Sequence, residues 1–216
     1  MPKQTFFNLA AKKQQRIIDA AMNEFAAHPY LKTSINRIIK DANISKGSFY
    51  QYFQNKKDLY KYIIDQASDT KMKFLAQKLQ DYQKLEFFEL LRELFIAGIQ
   101  FKKEYPLFSE IGDRLLNGSN ESLKEEIYAE SRPKSNDFFE QILEEAVNKG
   151  EVDPEIDIKF TAFMLTDFSI SIVSYFFENH NPNNLDEIMN YVDKMLYIMK
   201  NGIAKGIAKG DEDVTN

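Results

Sequence analysis

Apolar residues recur at helical spacing along nearly the whole chain, and the breaks between them mark out the elements. From 10 to 27, Ile17, Ile18, Ala21, Met22 and Phe25 form one face, with Lys12, Lys13, Arg16, Asp19 and Glu24 between them. His28-Pro29 ends this helix, because a residue before proline is pushed out of the α region and proline has no N–H to donate. Thr33 or Ser34 caps a second, short helix whose Ile35, Ile38 and Ile39 oppose Arg37 and Lys40. It closes at Asn43, a residue second only to glycine in accepting the left-handed conformation, so 42 to 44 reads as the turn of a helix-turn-helix. Ser45 opens a third helix. A fourth starts at the cap Asn55, with Asp58 at the N3 position of a capping box, and Leu59, Tyr62, Ile63, Ala67, Leu75 and Leu79 carry it to about Gln80. At 1.5 Å per residue it spans roughly 35 Å, enough to join two domains rigidly.

Beyond Gln80 the period stays helical and no convincing strand appears, so the fold class is all-α. Breaks at Tyr105-Pro106, Asn117-Gly118-Ser119, Lys149-Gly150, Asp153-Pro154 and 179 to 184 delimit helices at 87–103, 107–116, 123–148, 157–178 and 185–201, with Pro133 placed to kink the third of them. Gly202, Gly206 and Gly210 weaken the repeat that follows by roughly 1 kcal/mol each relative to alanine, so 202–216 is expected to form a flexible tail.

The formal charge of −5 is unevenly spread. Residues 1 to 61 hold eleven Lys or Arg against four acids, a net +7, and the remainder holds seventeen against twenty-nine, a net −12. A basic head suits a polyanion, since neutralising phosphates releases condensed counterions, whereas the acidic body is repelled from one. The absence of cysteine excludes disulfides, thiolate metal sites and cysteine nucleophiles, and fits a reducing compartment. Residues 1 to 13 lack the apolar core of a secretion signal and no apolar run reaches spanning length, so a soluble, cytoplasmic protein is expected.

The densest polar chemistry lies in Ser45-Lys46-Gly47-Ser48-Phe49-Tyr50-Gln51-Tyr52-Phe53. Lys46, Ser48, Tyr50, Gln51 and Tyr52 bring ammonium, hydroxyl and amide groups together, and Gly47 leaves room for close approach of a phosphate or base. Phe49 and Phe53, four residues apart, plug a core.

With Thr33-Ser34-Ile35-Asn36-Arg37-Ile38-Ile39-Lys40-Asp41-Ala42-Asn43-Ile44 before that stretch and Asn55-Lys56-Lys57-Asp58-Leu59 after it, the first quarter of the chain resembles the DNA-binding domain of the TetR family of repressors. Asn43 stands where the family usually has glycine, and Ile39 where a small alanine is common. The resemblance implies an N-terminal three-helix DNA-binding domain (1–55), joined by a long helix to a helical effector-binding and dimerisation domain (56–201). It also implies that the third helix enters the major groove, placing Ser45, Lys46, Gly47, Ser48 and Gln51 near bases or flanking phosphates. Tyr50, Tyr52 and Lys56 would then grip the backbone, joined by Thr33 and Ser34 from the start of helix two.

In the body there is no nucleophile motif, metal-ligand spacing or glycine-rich phosphate loop, and His28 and His180 are the only histidines, so neither enzyme activity nor a metal or cofactor is expected. Glu125-Glu126 and Glu144-Glu145 read as solvated charge. The segment 157–178 is apolar on nearly every face, and Ile188, Val192, Met195 and Met199 form a stripe on 185–201; two such helices per subunit would build a four-helix homodimer interface, as the resemblance also implies. It implies an effector pocket too, for which Phe95, Phe101, Tyr105, Phe108, Phe138, Phe163 and Tyr175 offer an apolar lining and Thr166, Asp167 and Ser171 polar anchors, suited to a small hydrophobic or aromatic ligand.

The expected function is a ligand-responsive repressor that binds a pseudo-palindromic operator as a homodimer and is released by its effector. The competing reading is a helical carrier that sequesters a hydrophobic molecule and uses its basic head only for solubility. Steep salt dependence of DNA binding separates the two.

Overall fold

In the computed structural model, which describes residues 1–79, 84–179 and 185–202, ten α-helices follow one another and no strand occurs among these residues. They are α1 (Gln4–Phe7), α2 (Ala11–Ala27), α3 (Ile35–Asp41), α4 (Lys46–Tyr52), α5 (Lys56–Lys78), α6 (Phe87–Glu104), α7 (Pro106–Leu116), α8 (Glu121–Asn148), α9 (Ile158–Asn179) and α10 (Leu185–Asn201). The expected tail from 203 onward, the end of the fourth helix at Gln80 and the break at 180–184, including His180, lie outside the described residues.

The local signals act as their chemistry requires. Asn43 is left-handed, with φ 48°. Ser45 accepts from the Ser48 amide at 3.0 Å and Asn55 from the Asp58 amide at 2.9 Å, so each silences an orphan donor at a helix start. Asp58 reaches back one residue further than a capping box requires, accepting from the Gln54 amide at 3.1 Å. Ser34 makes no side-chain cap; its amide donates instead to Glu24. Pro106 opens α7 at a position where its missing N–H is not needed. Pro133 sits inside an unbroken α8, and the carbonyl it leaves without a helical partner belongs to exposed Ala129.

Two apolar cores result. The first gathers Phe6, Ile17, Phe25, Ile38, Phe49, Phe53, Leu59 and Ile63, and reaches into the body through Ile111, Leu123 and Ile127. Packing therefore runs continuously across residue 55, where the sequence suggests a domain boundary. The second joins Phe87, Leu91, Leu143, Ala162, Leu165, Ile188 and Val192. Helix α8 contributes to both cores, its first turns to the head and its last to the body.

Two expectations are corrected here. Ile188 and Val192 are buried within the subunit's own core, with Met195 and Met199 packed against it, because this stripe faces α6; among the described side chains of α10, the large apolar ones left exposed are Tyr197 and Ile198. Glu126 is not merely solvated: it pairs with Lys57 at 3.0 Å and Lys61 at 2.9 Å, and Glu130 adds a second contact to Lys61, tying the start of α5 to α8.

Candidate nucleic-acid interface

Helix α4 has seven residues, too few to be stable alone, so its orientation is set by what it touches. Phe49 and Phe53 are fully buried, with ring centroids 5.5 Å apart, and Tyr52 is only 5% exposed. Lys46, Gly47, Tyr50 and Gln51, at i, i+1, i+4 and i+5, share the opposite, exposed face. Ser45 is exposed at the helix start, its hydroxyl 2.9 Å from that of half-buried Ser48. A helix N-terminus lined this way presents donors to phosphate, a lysine suited to guanine O6 and N7, and an amide suited to adenine.

The remaining residues expected at DNA have positions inside the fold. Thr33 is buried and its hydroxyl donates to the Tyr30 carbonyl at 2.6 Å. Ser34 is half-buried. Tyr52 lies in the core against Phe6, and the Lys13 ammonium sits 5.6 Å from its ring centroid. Lys56 donates to the carbonyls of Tyr30 and Thr33 at 2.7 and 3.0 Å and lies 4.4 Å from the Tyr30 ring centroid. Its ammonium bolts α5 to the segment before α3, and burial lowers its pKa against the opposing pull of Glu24.

The struts behind this face join residues too distant in sequence for the pattern of polar and apolar positions to show. Buried Glu24 accepts from Arg37 Nε at 2.8 Å and Nη2 at 2.5 Å and from the Ser34 amide at 2.7 Å, locking α2 to the start of α3. Burial pushes the Glu24 carboxyl up, but the Arg37 and Ser34 hydrogen bonds outweigh it and leave the pKa lowered. Arg16 Nε donates to the Ala42 carbonyl at 2.7 Å, closing the C-terminus of α3 at the turn. Arg114 Nε, from the body, donates to the Ala26 carbonyl at 2.6 Å, bonding α7 to the end of α2. In the sequence Glu24, Arg16 and Arg37 look like solvated polar positions on helix faces.

The expected effector residues fall into separate places. Phe101 and Tyr105 stack at 4.9 Å, with Phe108 6.4 Å from Tyr105 and Phe74 edge-on to both Phe101 and Tyr105. Phe95 and Phe138 pack against the second core. Phe163 and Asp167 meet Arg132, whose guanidinium lies 5.5 Å from the ring centroid and 3.1 Å from the carboxylate. Ser171 is exposed, and Tyr175, 51% exposed, lies 5.8 Å from Tyr191. These nine residues are therefore not gathered into one chamber. Beside Arg132, Tyr128 and Asn136 on α8 and Thr166 on α9 form a seam where Tyr128 Oη, Arg132 Nε, Asn136 Oδ1 and Thr166 Oγ1 are buried without a hydrogen-bond partner. Burial pushes the Tyr128 hydroxyl up to about 12, with Arg132 pulling it down and Glu121 adding to the rise.

A capped short helix on a left-handed turn, braced from behind and presenting Lys46, Tyr50 and Gln51, defines a helix-turn-helix DNA-binding protein. Residues 17–63 match the family model of bacterial regulatory proteins of the tetR family, and residues 85–206 match that of the tetracyclin repressor-like C-terminal domain. A TetR-family transcriptional regulator from Chloroflexus aurantiacus is 31% identical, with a TM-score of 0.61 over 94% of this chain and 98% of its own. The HTH-type transcriptional regulator YhgD of Bacillus subtilis is 24% identical over 194 residues, 89% of this chain and 97% of its own. The regulator FadR of Bacillus subtilis, in a crystal structure with stearoyl-CoA, is 21% identical, with a TM-score of 0.69 over 88% of this chain and 99% of its own, a likeness of fold. The chain belongs to the TetR family of transcriptional regulators: it is a DNA-binding regulator in type and not an enzyme. The family binds DNA as dimers. No helix among the described residues is long and apolar enough to cross a membrane.

Proposed function

We propose that the chain binds a pseudo-palindromic operator in the cytoplasm as a homodimer, reads it with α4, and is released by a small hydrophobic or aromatic effector. The observation that carries this reading is the exposed, N-capped face of Lys46, Gly47, Tyr50 and Gln51, held against a core by Phe49 and Phe53. Lys46 and Gln51 reach base edges, Tyr50, Ser45 and Ser48 flank phosphates, and Thr33, Ser34, Tyr52 and Lys56 act mainly by fixing the helix-turn-helix. Exposed Phe160, Phe163, Phe168 and Tyr175 on α9, with Tyr197 and Ile198 on α10, offer an apolar surface for the second subunit. Two α4 helices would then stand about one DNA turn apart, roughly 34–36 Å. The buried atoms Tyr128 Oη, Arg132 Nε, Asn136 Oδ1 and Thr166 Oγ1, which lack hydrogen-bond partners although the Arg132 guanidinium also pairs with Asp167, support a polar anchor for an otherwise apolar effector, since each buried unpaired group costs about 1–3 kcal/mol until a partner arrives. FadR's complex with stearoyl-CoA makes acyl thioesters the first effectors to screen.

The test is the salt dependence of binding to a duplex selected by the purified protein. The logarithm of affinity should fall against the logarithm of salt with a slope near −0.9 per phosphate contact, and Lys46→Ala should weaken binding about tenfold. Salt-insensitive binding, or no change with Lys46→Ala, would favour the carrier reading.

A further inference from the structure

A helix of seven residues leaves its last four carbonyls without helical partners, and α4 has every one of them occupied. The Phe49 carbonyl accepts from the Phe53 amide at 2.9 Å. The other three are met by a segment more than forty residues away in the chain. Lys3 Nζ donates to the Tyr50 carbonyl at 2.9 Å, the Thr5 hydroxyl donates to that of Gln51, and the Lys3 amide donates to that of Tyr52 at 2.8 Å. An ammonium at this end also complements the negative pole of the helix.

The segment is itself anchored. Phe6 is fully buried, its ring 5.0 Å from Phe53, 6.3 Å from Tyr52 and 5.6 Å from Tyr62, and Pro2 is buried as well. Gln14 Nε2, on α2, donates to the carbonyls of Phe7 and Leu9 at 3.2 and 2.8 Å, fixing the exit from α1. Pro2, Lys3, Thr5, Phe6 and Gln14 all precede the 17–63 stretch that matches the family's DNA-binding domain.

We infer that residues 3–6 are a specificity-determining clamp: Lys3 and Thr5 form the C-cap of the reading helix and Phe6 plugs its underside, so that Gln51 is held in register with the bases and Tyr50 with the phosphates beside them. This rests on α4 being the DNA-reading helix. Lys3 and Thr5 are positioning residues; they act through the carbonyls of the two residues whose side chains face outward. Loss of the clamp lets the last turn of α4 fray, which harms base recognition more than phosphate attraction.

The test uses the full-length protein with Lys3→Met and Thr5→Val together, which keep Phe6 and the apolar stems, and Thr5→Val alone, which changes no charge. Amide exchange of residues 50–53, measured without DNA, should quicken about tenfold in the double variant, as expected for two lost hydrogen bonds to carbonyls. Binding to a duplex selected by the wild type should weaken about tenfold while binding to a shuffled duplex of equal length changes less than about threefold. Thr5→Val should show the same sign at smaller size. Unchanged exchange at 50–53 would overturn the clamp, as would equal weakening on both duplexes, which would make Lys3 a phosphate contact. A wild type that selects no duplex would overturn the DNA-reading role of α4, while the exchange measurement would still decide whether the clamp exists.

Discussion

Gly47→Ala separates folding from recognition at one atom. Gly47 lies in the first turn of α4 and has no positive φ, so the backbone does not demand glycine. A Cβ built there meets only Ser45 Oγ, at 3.8 Å, an ordinary contact. By contrast, a Cβ on Gly118 would fall 2.5 Å from the Arg114 carbonyl oxygen, so that glycine is required by the fold itself. Alanine at 47 should therefore stabilise the protein by about 0.4–1 kcal/mol, by narrowing the unfolded ensemble. For a chain of this size that is a rise in Tm of about 1–4 °C. The same methyl projects from the face that carries Lys46, Tyr50 and Gln51, where DNA must approach closely. Displacing one good contact there costs about 1–3 kcal/mol, so affinity for the selected duplex should fall about 5- to 150-fold. Calorimetry and fluorescence anisotropy on the same preparation give both numbers. A raised Tm with unchanged or tighter binding would refute the placement of this face against DNA.

Glu24→Gln should lower the denaturant midpoint at neutral pH, and its deficit should shrink on acidification. The folded carboxyl has a lowered pKa, so its contribution is complete above the unfolded value of 4.5 and disappears as pH falls through the lower folded value; midpoints from pH 7 to 3 check this. Asn43→Val should cost about 1–2 kcal/mol because a β-branched residue resists φ 48°, whereas Asn43→Gly should be neutral or stabilising, as urea melts would show. Phe160→Asp combined with Tyr197→Asp, at positions 59% and 67% exposed, should shift the dimer toward monomer in sedimentation while leaving helicity intact. Phe6→Ala should cost about 3–5 kcal/mol by opening a cavity beneath α4, measured by thermal melting.

The helices were legible because their signals are local. Asn43, Ser45 and Asn55 act through backbone groups within four residues, and the structure returns each of them as a left-handed turn or a filled cap. The reading helix was legible for the same reason, with Phe49 and Phe53 separating its buried side from its exposed one. What stayed hidden depends on contacts distant in sequence. Lys3 and Thr5 look like an ordinary polar start until α4 is folded beside them. Glu24 looks solvated until α3 delivers Arg37. The α10 stripe was visible, but periodicity names an apolar face without naming what covers it, and here the subunit's own α6 does so. The aromatic residues proposed for an effector show the same limit: composition supplied them, and the packing of α5 to α9 distributed them among several sites.

The most direct test of the central claim is selection of bound duplexes from a random library by the purified protein, followed by sequencing. Sequencing should return an inverted repeat whose half-site centres lie about one helical turn apart, enriched by wild type and lost with Lys46→Ala combined with Gln51→Ala. Retention of duplexes with no common sequence, unaffected by those substitutions, would contradict it.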